Sequence, residues 1–290
     1  MKTERFEPSY LALAQRIVDE GEWIENKRTG KRCKTVIGHR YVIDCSTDFA
    51  PVVTTRKMGI RTGTAEIIGY LRGVSNAREF DRIGTKSWYA NANMTKAWLA
   101  NPNRKGEDDC GRIYGVQGRD WRRPDGTSFD QLAKIVNDLS NGIDDRGEIL
   151  MFYNPGEINL GCLRPCMYEH VFSLVGDKLY LHSTQRSYDW AIGGAVNTYQ
   201  VWLLLKLMAR ITGKKPAVAV HTIINCHIYE DQFDDVLTQL ERKNDVYPEP
   251  RVLIDERIQS LHDIDSWVTA DHFRMEGYQS HPAIKYKFSE

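Results

Sequence analysis

The chain has no excess of either charge. Its 290 residues carry 39 lysines and arginines against 39 aspartates and glutamates, a formal net charge of zero. No global field therefore draws it to nucleic acid or to an anionic membrane, and binding to either is not expected. Any phosphate it binds is bound locally, and a single nucleotide phosphate suits that better than a duplex. Long apolar runs are also lacking: Val201–Met208 is too short to span a bilayer and contains Lys206. The start, Met1-Lys2-Thr3-Glu4-Arg5, carries acid early and no apolar stretch follows, so a secretion signal is not expected. The cysteines (Cys33, Cys45, Cys110, Cys162, Cys166 and Cys226) show no disulfide-like rhythm, and the expectation is free thiols in a cytoplasmic compartment. Cys162 and Cys166 are spaced C-x-x-x-C with no second pair to close a tetrahedral site, so no metal is expected. Internal repeats, low-complexity tracts and Ser/Gly-rich linkers are absent.

What is present is an ordinary globular composition, 41% apolar and 27% charged, long enough for one large domain or two small ones. Tyr10 to Val18 has helical spacing and stops at Gly21. Thr35–Gly38 and Tyr41–Ile43 read as strands, and Thr64 to Leu71 as a helix that carries Glu66. The Asn-, Lys- and Asp-rich stretch 91–109 reads as an insertion or mobile loop. Ser128 is placed to cap a helix through Leu139 that ends at Asn141-Gly142. Ile149 to Tyr153 is strand-like. Tyr168–Val175 and Leu179–Ser187 form a plausible hairpin around Gly176-Asp177-Lys178. An apolar helix spans Thr198 to Thr212, Val218–Ile224 is a further strand, and Asp234–Arg242 a further helix. Strands and helices mix without strict alternation, which argues for one α/β (mixed α+β) domain over residues 1–290 rather than a doubly wound one.

One stretch carries the chemistry. Leu163-Arg164-Pro165-Cys166 places a cysteine directly after a proline. Gln185-Arg186-Ser187-Tyr188-Asp189, Gly193-Gly194 and Asn197 follow within about thirty residues. A lone cysteine is most often a small buried apolar residue. A neighbouring cation such as Arg186 would instead stabilise a thiolate and make a nucleophile. Pattern alone leaves both readings open.

The run Cys166 … Gln185-Arg186-Ser187-x-Asp189 … Asn197 … His227-x-Tyr229 closely resembles the thymidylate synthase superfamily. So do Arg28-Thr29-Gly30, Glu66-Ile67-Ile68-Gly69-Tyr70-Leu71-Arg72-Gly73, Ile113-Tyr114-Gly115-Val116-Gln117 and Gly277-Tyr278-x-x-His281-Pro282. These matches are collinear from about Tyr10 to Lys285. The resemblance implies a mixed twisted sheet flanked by helices, with one sheet face used for homodimerisation. It implies that Cys166 adds to carbon 6 of a uracil ring, after which carbon 5 attacks the one-carbon unit of 5,10-methylenetetrahydrofolate, the co-substrate. Arg28, Gln185, Arg186 and Ser187 then belong to the nucleotide site, with Arg146 reaching into the partner's site. Gly147 stands where the family has a second such arginine. Asn197 is implied to read the base, since one amide both donates to O4 and accepts from N3–H of uracil. His227 and Tyr229 match contacts to the sugar 3′-hydroxyl. Glu66 and Tyr114 match proton-handling groups. Asp189 is implied in catalysis and in holding the pterin, with Trp88 and Gly193 also on the folate side.

Both branches of the superfamily share an exocyclic methylene, which takes a hydride in the synthases and water in the phage-type hydroxymethylases. A dry cavity favours hydride. Here Met167 follows the nucleophile where histidine is common, and Asn91 stands at a tryptophan position. Gly193-Gly194-Ala195-Val196-Asn197 replaces a bulkier Gly-Leu-Pro-Phe-Asn, and the chain ends Phe288-Ser289-Glu290 instead of in an apolar residue. These departures lead to the expectation of a phage deoxyuridylate 5-hydroxymethylase acting in a host cytoplasm. The alternatives are a thymidylate synthase, a dCMP hydroxymethylase, and an inactive nucleotide- or RNA-binding relative.

Overall fold

A computed structural model describes residues 3–27 and 30–288. Its centre is a six-stranded sheet in the order β1-β2-β8-β7-β6-β5, built from Glu22–Asn26, Lys31–Asp44, Lys215–Tyr229, Lys178–Asp189, Met167–Val175 and Ile149–Met151 respectively. Every neighbouring pair is antiparallel except β7 and β8. A parallel pair needs a crossover. It is provided by a π-type turn, Trp190–Gly194, and the long helix α8, Ala195–Ile211. The small strands β3 (Trp121–Arg122) and β4 (Ser128–Phe129) pair with each other, as do β9 (Arg251–Ile254) and β10 (Phe273–Glu276). This is the mixed α/β architecture expected.

Helix α1 (Phe6–Glu20) buries Tyr10, Leu13, Ala14 and Ile17, an i, i+3, i+4, i+7 stripe. Helix α8 is buried almost all round, with Trp202, Leu203, Leu204, Leu205, Leu207 and Met208 in the core. It is covered by α2 (Arg61–Arg72), itself packed on α6 (Tyr114–Arg119). Helices α3 (Ala77–Ile83), α4 (Trp88–Met94), α5 (Lys96–Leu99), α7 (Gln131–Ser140), α9 (Phe233–Glu241) and α10 (Leu261–Ser266) complete the flanks.

Several local expectations are corrected. The two strands read before residue 44 are one, because β2 continues through Gly38 in a positive-φ conformation (78°) that glycine adopts without a Cβ penalty. Likewise the strand read over Val218–Ile224 runs on through Tyr229 within the single strand β8. Asp130, not Ser128, caps α7 by accepting from the Ala133 amide at 2.8 Å, and Ser128 lies in β4. The stretch 91–109, read as an insertion or mobile loop, holds the end of α4 and all of α5. Trp98 of α5 is 2% exposed and its Nε1 donates to the Asp109 carbonyl at 2.6 Å, while Asn93 Oδ1 accepts from the Asp108 amide at 2.9 Å. The polar residues that resembled loop chemistry spend it on each other. The β6–β7 hairpin turns on Gly176-Asp177, with Val175 opposite Lys178, as the sequence suggested.

Candidate active site

The sheet brings the cysteine and the arginine together through the backbone. Cys166 immediately precedes β6, and its carbonyl accepts from the Arg186 amide of β7 at 2.9 Å. Residues twenty apart in sequence are thus held side by side. The Arg186 side chain folds back over the proline: Nε donates to the Pro165 carbonyl at 2.9 Å and one terminal nitrogen to the Arg164 carbonyl at 3.1 Å. That same nitrogen lies 3.9 Å from Cys166 Sγ. Cys166 is half-buried, while the other five cysteines are buried. Burial pushes the thiols of Cys45 and Cys226 up, the latter to about 12, so these sulfurs stay protonated. A fixed guanidinium thus lies beside the sulfur of the one cysteine that is not fully buried.

Tyr114 closes the other side. Its hydroxyl accepts from the Cys166 amide at 2.9 Å. The ring stacks on Tyr70 at 4.4 Å and 5°, and meets Trp88 and Phe152 edge-on at 5.9 and 6.0 Å. Burial, and then the nearby Cys166, push its phenol well above the ordinary range. Its backbone φ of +28° is costly for a residue with a side chain, and the aromatic stack around it holds that conformation in place. Trp88 is 2% exposed, so it braces Tyr114 edge-on and presents no open face of its own; its Nε1 has no partner among the described residues.

On α2, Glu66 accepts from Ser87 Oγ at 2.7 Å and from Gln200 Nε2 at 2.8 Å. Burial raises its carboxyl, and these two donors oppose the rise. Asn197, in the first turn of α8, has both amide atoms engaged. Gln185 Nε2 donates to its Oδ1 at 3.0 Å, and its Nδ2 donates to Gln200 Oε1 at 2.9 Å. Asp189 accepts from the Ala191 and Ile192 amides at 3.1 Å and from Gln232 Nε2 at 3.2 Å; burial raises its carboxyl. Gly193 is half-exposed, and a Cβ there would lie 3.2 Å from Asn197 Oδ1.

Ser187 is half-buried on β7, and its carbonyl accepts from Gln185 Nε2 at 2.7 Å. Across the parallel ladder Asp189 pairs with His227, which brings the β8 end to the same edge. His227 Nδ1 lies 2.8 Å from Asn225 Oδ1, and Tyr229 Oη accepts from Asn26 Nδ2 at 3.0 Å. Arg28 lies outside the described residues. Arg146 sits on an exposed turn between α7 and β5 with φ 68°, its amide donating to Asp144 Oδ1 at 2.8 Å. The hydrogen bonds of the described residues do not join it to the Cys166 cluster. Gln200, His221 and Tyr70 belong to the site as well, and sequence reasoning missed them. The only available signal was for Gln200, a polar side chain one helical turn from Asn197 in an apolar helix.

The chain matches the family model described as thymidylate synthase over residues 8–290. It is 56% identical to a thymidylate synthase of Vibrio cholerae over 280 residues, covering 97% of this chain and 99% of that protein. Over the same shares it is 57% identical to one of Histophilus somni and 58% identical to one of Tolumonas auensis. With Cys166 hydrogen-bonded to both Tyr114 and Arg186, and Asn197 hydrogen-bonded to Gln185 next to Arg186 on β7, the chain belongs to the thymidylate synthase family, whose members are transferases that take their one-carbon unit from methylenetetrahydrofolate.

Proposed function

We propose that the protein converts dUMP and methylenetetrahydrofolate to dTMP and dihydrofolate. The observation that carries this reading is the backbone-fixed pairing of the half-buried Cys166 with the Arg186 guanidinium, with the Asn197 amide held by Gln185 of the same strand as Arg186. In this reading Cys166 Sγ bonds to carbon 6 of the uracil, and the electron pair of the 5,6 double bond moves towards carbon 5 and O4. Asn197 holds O4 and N3–H, and Glu66 organises the hydrogen bonds beside O4. Carbon 5 bonds to the one-carbon unit. Loss of the carbon 5 proton, with help from Tyr114, then breaks the bond from that carbon to the folate nitrogen, so that tetrahydrofolate leaves and an exocyclic methylene remains on carbon 5 to accept the hydride. The folate supplies that carbon and, at the end, a hydride. Cys166 then leaves as the 5,6 double bond re-forms, so the thiol is returned unchanged. Arg28, Arg186 and Ser187 hold the nucleotide phosphate, with Arg146 of a second copy. His227 and Tyr229 take the sugar. A folate is assigned to the side of Asp189 and of Gly193, where no Cβ crowds Asn197; Trp88, buried behind Tyr114, would brace that wall from within rather than face the pterin.

Two findings favour hydride over the water expected from sequence. The relatives matched at 56–58% identity over nearly their whole length are thymidylate synthases, and they come from bacteria rather than phages. Three of the sequence departures also sit in packed or hydrogen-bonded surroundings. Met167 is 2% exposed and packs in the core. Asn91 is half-buried on α4 and donates to the Ser87 carbonyl at 3.5 Å. The bulk missing at Gly194 is replaced by Tyr188, whose ring lies 2.7 Å from where a Cβ would stand. The last two residues lie outside the described residues. The same points weigh against a dCMP hydroxymethylase, and the half-exposed thiol weighs against an inactive relative.

We also read residues 1–290 as one domain working as a homodimer. Ile37 and Ile224 are 64% and 42% exposed on the neighbouring strands β2 and β8 of the central sheet, apolar side chains that a second copy would cover. A reducing compartment, the cytoplasm, suits the free Cys166. The test supplies dUMP and methylenetetrahydrofolate, follows dihydrofolate absorbance and identifies the nucleotide by mass. Equimolar dihydrofolate and methylated nucleotide are expected. A hydroxymethyl nucleotide without dihydrofolate overturns the reading.

A further inference from the structure

A chain of side-chain hydrogen bonds runs behind Asn197, and its direction can be read from its fixed ends. Gln185 has one amide atom 2.7 Å from the Ser187 carbonyl. A carbonyl only accepts, so that atom is Nε2, and its other neighbour, at 3.0 Å, is an acceptor: Asn197 Oδ1. Gln185 Oε1 then faces His221 Nε2 at 2.9 Å, and this nitrogen carries a proton. From the other end, Gln200 Nε2 faces two acceptors, the Gly63 carbonyl at 3.3 Å and Glu66 Oε2 at 2.8 Å. Its Oε1 therefore accepts from Asn197 Nδ2 at 2.9 Å. The two ends agree on one orientation of the Asn197 amide.

We infer that His221 and Gln200 are positioning residues that lock the Asn197 amide in its uracil-reading orientation and so exclude cytosine. The inference rests on the reading of Asn197 as the base contact. In the locked state Asn197 has one lone pair on Oδ1 and one hydrogen on Nδ2 left over. That pair matches the N3–H and O4 of uracil and mismatches the N3 and N4 amino group of cytosine. To read cytosine the amide must flip. Flipping sets Oδ1 against Gln200 Oε1 and Nδ2 against Gln185 Nε2, two like contacts in place of two bonds. Turning the glutamines as well sets Gln200 Oε1 against Gly63 O and the Glu66 carboxyl, and Gln185 Oε1 against Ser187 O. It also requires His221 to move its proton to Nδ1. The ring is fully buried on β8, and Nδ1 faces the Thr198 hydroxyl at 3.2 Å. Burial pushes its pKa down to about 3, so the ring carries a single proton throughout the working range. Asn197 alone is compatible with either base; its neighbours make the choice.

The test compares dissociation constants of dUMP and dCMP, by calorimetry on the intact protein, for wild type, Gln200→Met, His221→Phe and Asn197→Asp. Both Gln200→Met and His221→Phe lower the preference for dUMP about tenfold, because the freed amide samples both orientations. General damage to the fold weakens both ligands together and leaves that ratio alone. If both variants keep the ratio within about twofold while Asn197→Asp moves it towards dCMP, the lock is wrong and the base reading stands. If Asn197→Asp leaves the ratio unmoved, the base reading fails and the lock falls with it. Should His221→Phe not fold, Gln200→Met decides. Nitrogen spectra of histidine-labelled wild type give a variant-free answer: an Nε2–H neutral ring for His221 is expected, and an Nδ1–H ring overturns the proposal.

Discussion

Cys166 and Asn197 are both half-buried, yet they are held in opposite ways. Among the described residues the Cys166 sulfur has a single hydrogen-bonding neighbour, an Arg186 nitrogen at a loose 3.9 Å. Its position comes from the backbone: the amide bonded to Tyr114, the carbonyl to Arg186. Asn197 has both side-chain atoms bonded at 2.9–3.0 Å, to partners that are themselves bonded to carbonyls or a carboxyl. In the proposed reaction Cys166 makes and breaks a covalent bond and must keep its sulfur uncommitted, and Asn197 reads the base; on that reading the fold grips everything around the sulfur. A group that distinguishes two bases differing by a swapped donor and acceptor must keep its polarity fixed, so the fold grips the polar atoms themselves.

The widest separation between the two comes from truncating each. Cys166→Ala abolishes turnover, a loss of at least about ten-thousandfold, because no other described sulfur is placed to add to the ring. It changes stability by under about 1 kcal/mol, since no bonded partner is orphaned. Asn197→Ala leaves Gln185 Nε2 and Gln200 Oε1 short of a partner and costs about 1–3 kcal/mol. Steady-state assays together with urea unfolding of the two variants check this. Equal stability losses would erase the contrast.

A second contrast lies at the turn into α8. Gly194 is pressed by the Tyr188 ring, whose hydroxyl reaches Thr198 Oγ1 at 3.1 Å. Gly194→Ala therefore costs about 1–3 kcal/mol by overpacking. The double variant Gly194→Ala/Tyr188→Ser recovers part of that loss, a coupling that a thermal-unfolding cycle measures directly. Tyr188→Ser alone opens space beside the start of α8. A rise in hydroxymethylated product from that variant would identify Tyr188 as a residue that keeps water from the methylene.

The sequence made the reactive half of the site easier to read than the reading half. Cys166 after proline, Arg186 in Gln-Arg-Ser and Asn197 after paired glycines lie in short collinear motifs, and the β6–β7 hairpin follows from alternation broken at Gly176-Asp177. Gln200 and His221 carry no such mark. Gln200 is one polar residue in an apolar helix, and His221 one in an apolar strand. Their meaning depends on which carbonyls face them, which only tertiary structure decides. The water-for-hydride expectation, which the relatives fit less well than its alternative, was weak for a related reason. It counted bulk lost at Gly194 without seeing that Tyr188, six residues earlier, fills the gap. The same blindness to partners made a loop of 91–109, where Asn93, Trp98, Asp108 and Asp109 satisfy one another.

The smallest effect separates two histidines that look alike. His170 and His221 lie on neighbouring positions across the sheet, since each is paired in register with Ser183. Burial depresses both from an ordinary 6.5 to about 3. A depressed pKa means that the fold favours the neutral ring. Its contribution is fully present above 6.5 and is lost as the pH falls towards 3, because the unfolded chain takes up a proton the fold refuses. His170 Nδ1 meets Ser183 Oγ at 2.7 Å, and its Nε2 has no partner among the described residues. His170→Phe thus costs within about 1 kcal/mol at neutral pH, losing one hydrogen bond while removing one unpaired nitrogen. It also makes acid unfolding shallower by up to about 1.4 kcal/mol per pH unit, one proton's worth. His221→Phe flattens the acid limb equally, yet it alone also changes the base preference. Urea midpoints from about pH 7 down to 4, set beside dUMP and dCMP binding for the two variants, test that split. If His170→Phe moved base preference as far as His221→Phe, the whole histidine row, and not the path through Gln185, would be setting the amide.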